Sequence, residues 1–146
     1  MTTRLKSVSE YLVKKLSEAS SDQRKKAIIV ACNDAINSSA VSIPIVDRAI
    51  EKLRHGELFS PTLIAGLNNL SEILDDKYFY NQEISKNVDS NRYYLTLFSQ
   101  ARAVSALALG GGEETLFSTT EAIYEASAAV NNQDTFINNI LSTLAG

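Results

Sequence analysis

Residues 60–76 read SPTLIAGLNNLSEILDD, and this stretch decides the fold. Ser60 is a side-chain acceptor suited to a helix N-cap, and Pro61 sits where its fixed φ and missing N–H favour the first helical position. Leu63, Leu67, Leu70 and Leu74 then recur at spacings of three and four, the period of one helix face. No alternation of period two competes with it. The same grammar extends in both directions. Upstream, residues 4–19 carry Leu5, Val8, Leu12, Leu16 and Ala19 as a stripe and are predicted to form one helix. Ser20-Ser21-Asp22 marks a stop and a new start. A second helix is predicted to bury Ile28, Ile29, Cys32 and Ala35 and to end at Asn37-Ser38-Ser39. Pro44 opens a third, carrying Ile45, Val46, Ala49, Ile50 and Leu53, with Gly56 as its C′ residue.

Downstream, residues 78–84 continue as helix with a bend or break expected near Asp75, and residues 86–90 read as a loop. A long helix over residues 91–109 places Tyr94, Leu97, Phe98, Ala101, Val104 and Ala108 inside. Gly110-Gly111-Gly112 ends it. The next helix is expected over residues 113–130, burying Leu116, Phe117, Ile123, Tyr124 and Ala128, with Glu113 and Glu114 at its positive end. Asn131-Asn132 precedes a last helix with Phe136, Ile137, Ile140, Leu141 and Leu144. The expected fold is therefore all-α: a compact bundle of about seven short-to-medium antiparallel helices in a single domain over residues 1–146. A short α-solenoid is the alternative, because helix pairs recur at solenoid-like intervals, but no residue signature repeats at a fixed period.

Composition narrows the classes. A chain of 146 residues with 45% apolar and 21% charged residues is ordinary for a globular domain. One cysteine, Cys32, allows no intramolecular disulfide and no multi-cysteine zinc site. The first nine residues have no apolar signal core, and the apolar run at residues 27–32 is too short to span a bilayer, so no membrane partner is expected and the cytoplasm is the expected location. Charge is divided along the chain: residues 1–55 carry ten Lys/Arg against six Asp/Glu, and residues 56–146 carry four against eleven. Such an asymmetry speaks to partners rather than to fold.

No catalytic or cofactor motif accompanies it, and neither an enzyme nor a cofactor site is expected. Cys32 lies on an apolar stripe, and His55, the only histidine, sits at a helix C-terminus where it complements the dipole. The carboxylates Glu72, Asp75 and Asp76, and Glu121 with Glu125, lack the histidines of a di-metal bundle site and read as solvated faces. The triple glycine runs into two glutamates, which would repel a phosphate. Lys14-Lys15 and Arg24-Lys25-Lys26 are too sparse for strong nucleic-acid binding in a chain of net charge −3.

Tyr78-Phe79-Tyr80 is different. A helix cannot bury three adjacent side chains on one face, so some of these rings are expected to be exposed, beside Asp75, Asp76 and Glu83. Aromatics rimmed by charge have the composition of protein-interface hot spots. The stretch Phe98-Ser99-Gln100-Ala101-Arg102-Ala103-Val104-Ser105-Ala106-Leu107-Ala108, with Glu121-Ala122-Ile123-Tyr124-Glu125-Ala126 and the preceding Leu74-Asp75-Asp76, resembles small all-helical bacterial immunity-type proteins. The resemblance implies a cytoplasmic helical protein that blocks a toxin by binding it. An acidic face for a basic protein partner is expected from residues 72–94 and 113–134, with Asp75, Asp76, Tyr78, Tyr80, Glu83, Glu113 and Glu114 as the partner-binding candidates. A helical scaffold, possible as a homodimer, and a small-ligand or metal-binding bundle are the alternatives.

Overall fold

The computed structural model describes residues 3–85 and 93–146; the predicted loop at residues 86–90 lies outside them. A 3₁₀ turn, Arg4–Ser7, precedes seven α-helices: α1 (Glu10–Glu18), α2 (Ser21–Ser39), α3 (Pro44–Arg54), α4 (Pro61–Ser85), α5 (Tyr93–Gly110), α6 (Leu116–Ala129) and α7 (Gln133–Ala145). Among the described residues there is no strand. In a solenoid each unit touches only its neighbours in the chain. Here α2 packs against α5, α6 and α7, and α5 is surrounded by α2, α3, α4 and α6. The expected compact all-helical arrangement is the one observed.

The helix that lies at the centre is recognisable by its composition. Ala101, Ala103, Val104, Ala106, Leu107 and Ala108 of α5 are all buried, so apolar residues surround the helix instead of lining one face. Their small size lets the neighbouring backbones approach closely. The flanking helices each bury a stripe against it: Leu67 and Leu74 from α4, Ala31, Cys32 and Ala35 from α2, and Ile123 and Ala126 from α6. Phe136 and Ile140 of α7 close the far side of α2 and are fully buried.

Local chemistry sets most of the boundaries. Ser20 and Gln23 form a reciprocal capping box at the start of α2. Ser60 Oγ accepts from the Leu63 N–H at the start of α4. Gly56, at φ +73°, donates its N–H to Leu53 O while Glu57 donates to Lys52 O, a Schellman ending for α3.

Five expectations are corrected. The predicted helix over residues 4–19 is two pieces, because Ser9 caps α1 by accepting from the Leu12 N–H; Leu5 still joins Leu12 and Leu16 in the core. Helix α2 continues through Asn37-Ser38-Ser39, since Ser38 and Ser39 turn their hydroxyls back to Asp34 and Ile36 O and so stay compatible with helix, and Ala40 ends it in the left-handed region. Helix α4 runs without interruption past Asp75, whose carboxylate is held by Arg102 of α5 rather than by its own backbone. Helix α6 begins at Leu116, behind a Thr115–Ser118 capping box. Leu116 and Phe117, predicted inside, are exposed, while Thr119 and Ala122 take the buried positions.

Candidate functional site

Helices α4 and α5 are antiparallel. Phe59, just before α4, donates its N–H to Gly111 O, Ser71 Oγ donates to Ala101 O, and Tyr78 packs on Tyr94 and Phe98. The C-terminal part of α4 and the N-terminal part of α5 therefore share one end of the molecule. At that end Tyr78 points inward, its ring 5.3 Å from Phe98, 6.0 Å from Tyr94 and 5.0 Å from Phe79. With Tyr78 filling the inward position, its neighbours in sequence must point elsewhere. Phe79 is 62% exposed and Tyr80 68%; Leu95 near the start of α5 and Ile73 midway along α4 are exposed as well. Two adjacent exposed aromatic rings are informative in a way that a single exposed apolar side chain is not. Glu72, Asp76 and Glu83 are exposed on the same stretch of α4.

The seven residues singled out from sequence divide into two groups. Asp76, Tyr80 and Glu83 are exposed on α4, and Tyr78 is half-buried behind them. Asp75 is turned inward, with Arg102 Nη2 at 2.7 Å from its Oδ2. Glu113 and Glu114 lie elsewhere, beside the glycine turn that packs against the start of α4. Tyr80 is roughly 28 Å from Pro61 along the axis at about 1.5 Å per residue. The expected face spanning both regions is thus two separate surfaces. Glu113 is exposed, whereas the Glu114 side chain is only 4% exposed and is an internal anchor.

Glu114 accepts from Arg24 Nε at 2.8 Å, Ser21 Oγ at 2.6 Å and Thr119 Oγ1 at 2.7 Å. Arg24 also donates to Ala19 O, so one carboxylate ties the end of α1 to the starts of α2 and α6. Burial disfavours this carboxylate, but the hydrogen bonds from Arg24, Ser21 and Thr119 and the charge of Arg24 outweigh it and hold the carboxyl below its ordinary value. The folded chain releases this proton more readily than the unfolded chain does. The pairing therefore stabilises above about pH 4.3 and is lost as pH falls through the lowered folded value. We expect the melting temperature of the wild type to fall more steeply below about pH 4 than that of Glu114→Gln. Parallel profiles would remove Glu114 from the acid response.

A second internal network links four elements. Arg102 Nη1 lies 3.1 Å from both carboxylate oxygens of Glu125 in α6, and Arg4 of the 3₁₀ turn reaches Glu121 at 2.9 Å and Glu125 at 3.6 Å. The expectation that Glu121 and Glu125 form a solvated face is corrected, because Glu125 is buried and Glu121 largely so. The guanidinium of Arg4 also lies over the Tyr124 ring, 4.5 Å from its centre, and that of Arg102 lies 5.9 Å from the centre of Phe98.

The remaining features offer little chemistry. Cys32 is fully buried, and burial pushes its thiol up to about 12, far from a nucleophile. His55 is exposed, with Nδ1 2.8 Å from Glu51 O. Among the described residues no three His, Cys, Asp or Glu side chains are grouped to hold a metal ion, and no helix is long and apolar enough to cross a membrane. A cleft of about 350 Å³ between α2, the end of α3 and the glycine turn is lined by Lys25, Ile28, Leu53, Leu58 and Glu113. Its charges largely cancel, since Glu57 and Glu114 at its edge are paired with Lys52 and Arg24. No protein family, no curated protein and no solved structure matches this chain.

Phe79, Ile73 and Leu95 were not among the sequence-derived candidates. The available signal was positional: once Tyr78 is assigned to the core, Phe79 and Ile73 fall on outward positions of a 3.6-residue period.

Proposed function

We propose that this chain is a protein-binding module whose partner docks on the outer face of α4, and that the partner is basic. One observation carries this: Phe79 and Tyr80 are more than half exposed on a helix face that also bears Glu72 and Asp76. Large aromatic side chains supply binding energy when desolvated, and a rim of like charge steers an oppositely charged partner and sets its approach. The finer reading is an immunity-type inhibitor that neutralises a bacterial toxin by binding it. Its support is the resemblance around residues 98–108 and 121–126, and the fact that toxins acting on nucleic acids need a basic surface that an acidic inhibitor can cover.

The test is a tagged pull-down from the native lysate at low and moderate salt, run with wild type and with Glu72→Lys/Asp76→Lys. A single basic protein in stoichiometric yield, weakened by salt and captured about tenfold less by the reversed variant, is the expected result. Equal capture by both proteins would remove the acidic face from the interface. The exposed Ile73 and Leu95 favour one alternative, a self-associating scaffold. A stable oligomer with no second protein bound would establish that instead.

A further inference from the structure

We infer that the outer face of α4 is built to take an arginine side chain of its partner, rather than positive charge in general. The inference rests on the partner surface proposed above and adds the chemistry that would engage it. Glu72, Asp76 and Phe79 stand at positions i, i+4 and i+7 and so share one stripe of the helix. The aromatic ring therefore has a carboxylate one turn before it and a second one turn further back. One part of the Phe79 ring leans on Tyr78, at 57° and 5.0 Å, which restrains it, while 62% of the residue is left to solvent. A phenyl ring has no hydrogen-bonding group to offer water, but its face attracts a cation.

The chain already contains a filled version of this arrangement. On α6, Glu121 precedes Tyr124 by three residues, as Asp76 precedes Phe79 on α4. Arg4 fills the α6 pair, its guanidinium 4.5 Å from the centre of the Tyr124 ring while Nη2 donates to Glu121 at 2.9 Å. Arg102 does much the same, lying over Phe98 while its nitrogens hold Asp75 and Glu125. No cation of the described residues lies over Phe79. The acid–x–x–aromatic pair on α4 faces outward with Phe79 left exposed, so an arginine of another molecule can reach it. A planar guanidinium can stack on a ring and present its N–H fork to a carboxylate at once; an ammonium is a point charge with stronger hydration and does this less well. A partner that places an arginine here is therefore preferred over one that places a lysine.

Titrating the isotopically labelled full chain with a nine-residue arginine peptide and a nine-residue lysine peptide, of equal charge, separates the two by NMR. We expect shifts at Asp76, Phe79 and Tyr80 and an affinity about threefold to fivefold higher for the arginine peptide. Phe79→Leu keeps an apolar side chain without the ring and should bring the ratio to about one, while Phe79→Tyr should preserve it. Glu72→Gln/Asp76→Asn should weaken both peptides. Equal binding of the two peptides, or a ratio that survives Phe79→Leu, overturns the arginine preference and leaves the acidic partner face standing. Failure of both peptides to shift the α4 resonances overturns the two together.

Discussion

Arg102→Met is expected to lower the unfolding free energy by about 3 kcal/mol, the cost of leaving a buried carboxylate without its main partner. The Glu125 side chain is 8% exposed and lies on the inner side of α6. Without Arg102 it retains the Ser105 hydroxyl at 3.3 Å and Arg4 at 3.6 Å, neither of which replaces the two 3.1 Å contacts it loses. Asp75 is less affected, because its side chain is 31% exposed and can turn to water. Most of the loss therefore arises at Glu125. This predicts a rescue. Arg102 Nε is buried without a hydrogen-bond partner among the described residues, so the native pair is itself incompletely satisfied. Adding Glu125→Leu to Arg102→Met removes both ends and should return the protein to within about 1 kcal/mol of wild type, as apolar replacement of buried pairs often does. Urea unfolding of the four proteins measures the cycle. A single variant within experimental error of wild type, or two costs that simply add, would show that Arg102 and Glu125 do not act as a buried pair.

This network also marks where reading the sequence runs out. Ser20, Ser60-Pro61, Pro44 and Gly56 could be read because each acts on its own backbone within one turn. Ser9 and Thr115 act in the same way but were hidden, the first inside a leucine stripe that continues across the break, the second behind two glutamates that themselves suit a helix start. With a helix start taken at Glu113, three residues ahead of the observed one, Leu116 and Phe117 fall among the inward positions. Arg102 is legible only as an isolated charge in an alanine-rich segment, and Glu125 only as one of two solvated carboxylates with Glu121. A lone charge amid small buried residues does hint at a buried pair, but which residues meet is decided by the antiparallel docking of α4, α5 and α6, which no local period encodes. The candidate site follows the same division. Asp76, Tyr78, Tyr80 and Glu83 belong together because they share one helix. Glu113 and Glu114 share only the charge, and the docking of the glycine turn against the start of α4 carries them to the other end.

That docking is also the place where the smallest chemical change should have a large effect. Gly111 follows α5 directly, and its carbonyl accepts from the Phe59 N–H at 2.9 Å while the buried Phe59 ring lies against its Cα. A Cβ built at Gly111 overlaps the near edge of the ring. Backbone strain is not the obstacle, since among the described glycines only Gly56 has a left-handed φ. The obstacle is steric and resides in one side chain. Gly111→Ala must either expel the ring or shift the turn, and its cost should approach that of deleting the ring, about 3 kcal/mol. Phe59→Ala alone should cost about the same, through the cavity it leaves. In the Phe59→Ala background the added methyl takes up part of the cavity that the ring leaves, so Gly111→Ala should then change stability by less than about 0.5 kcal/mol. Denaturant unfolding of the single and double variants reads this coupling directly, and additive costs would refute the steric account. The face on α4 lies at the other end of the same helix. Gly111→Ala should therefore weaken the fold and, while the chain stays folded, leave the affinity for an arginine peptide unchanged. Loss of that affinity in the folded variant would mean that the two ends of α4 are coupled through the helix.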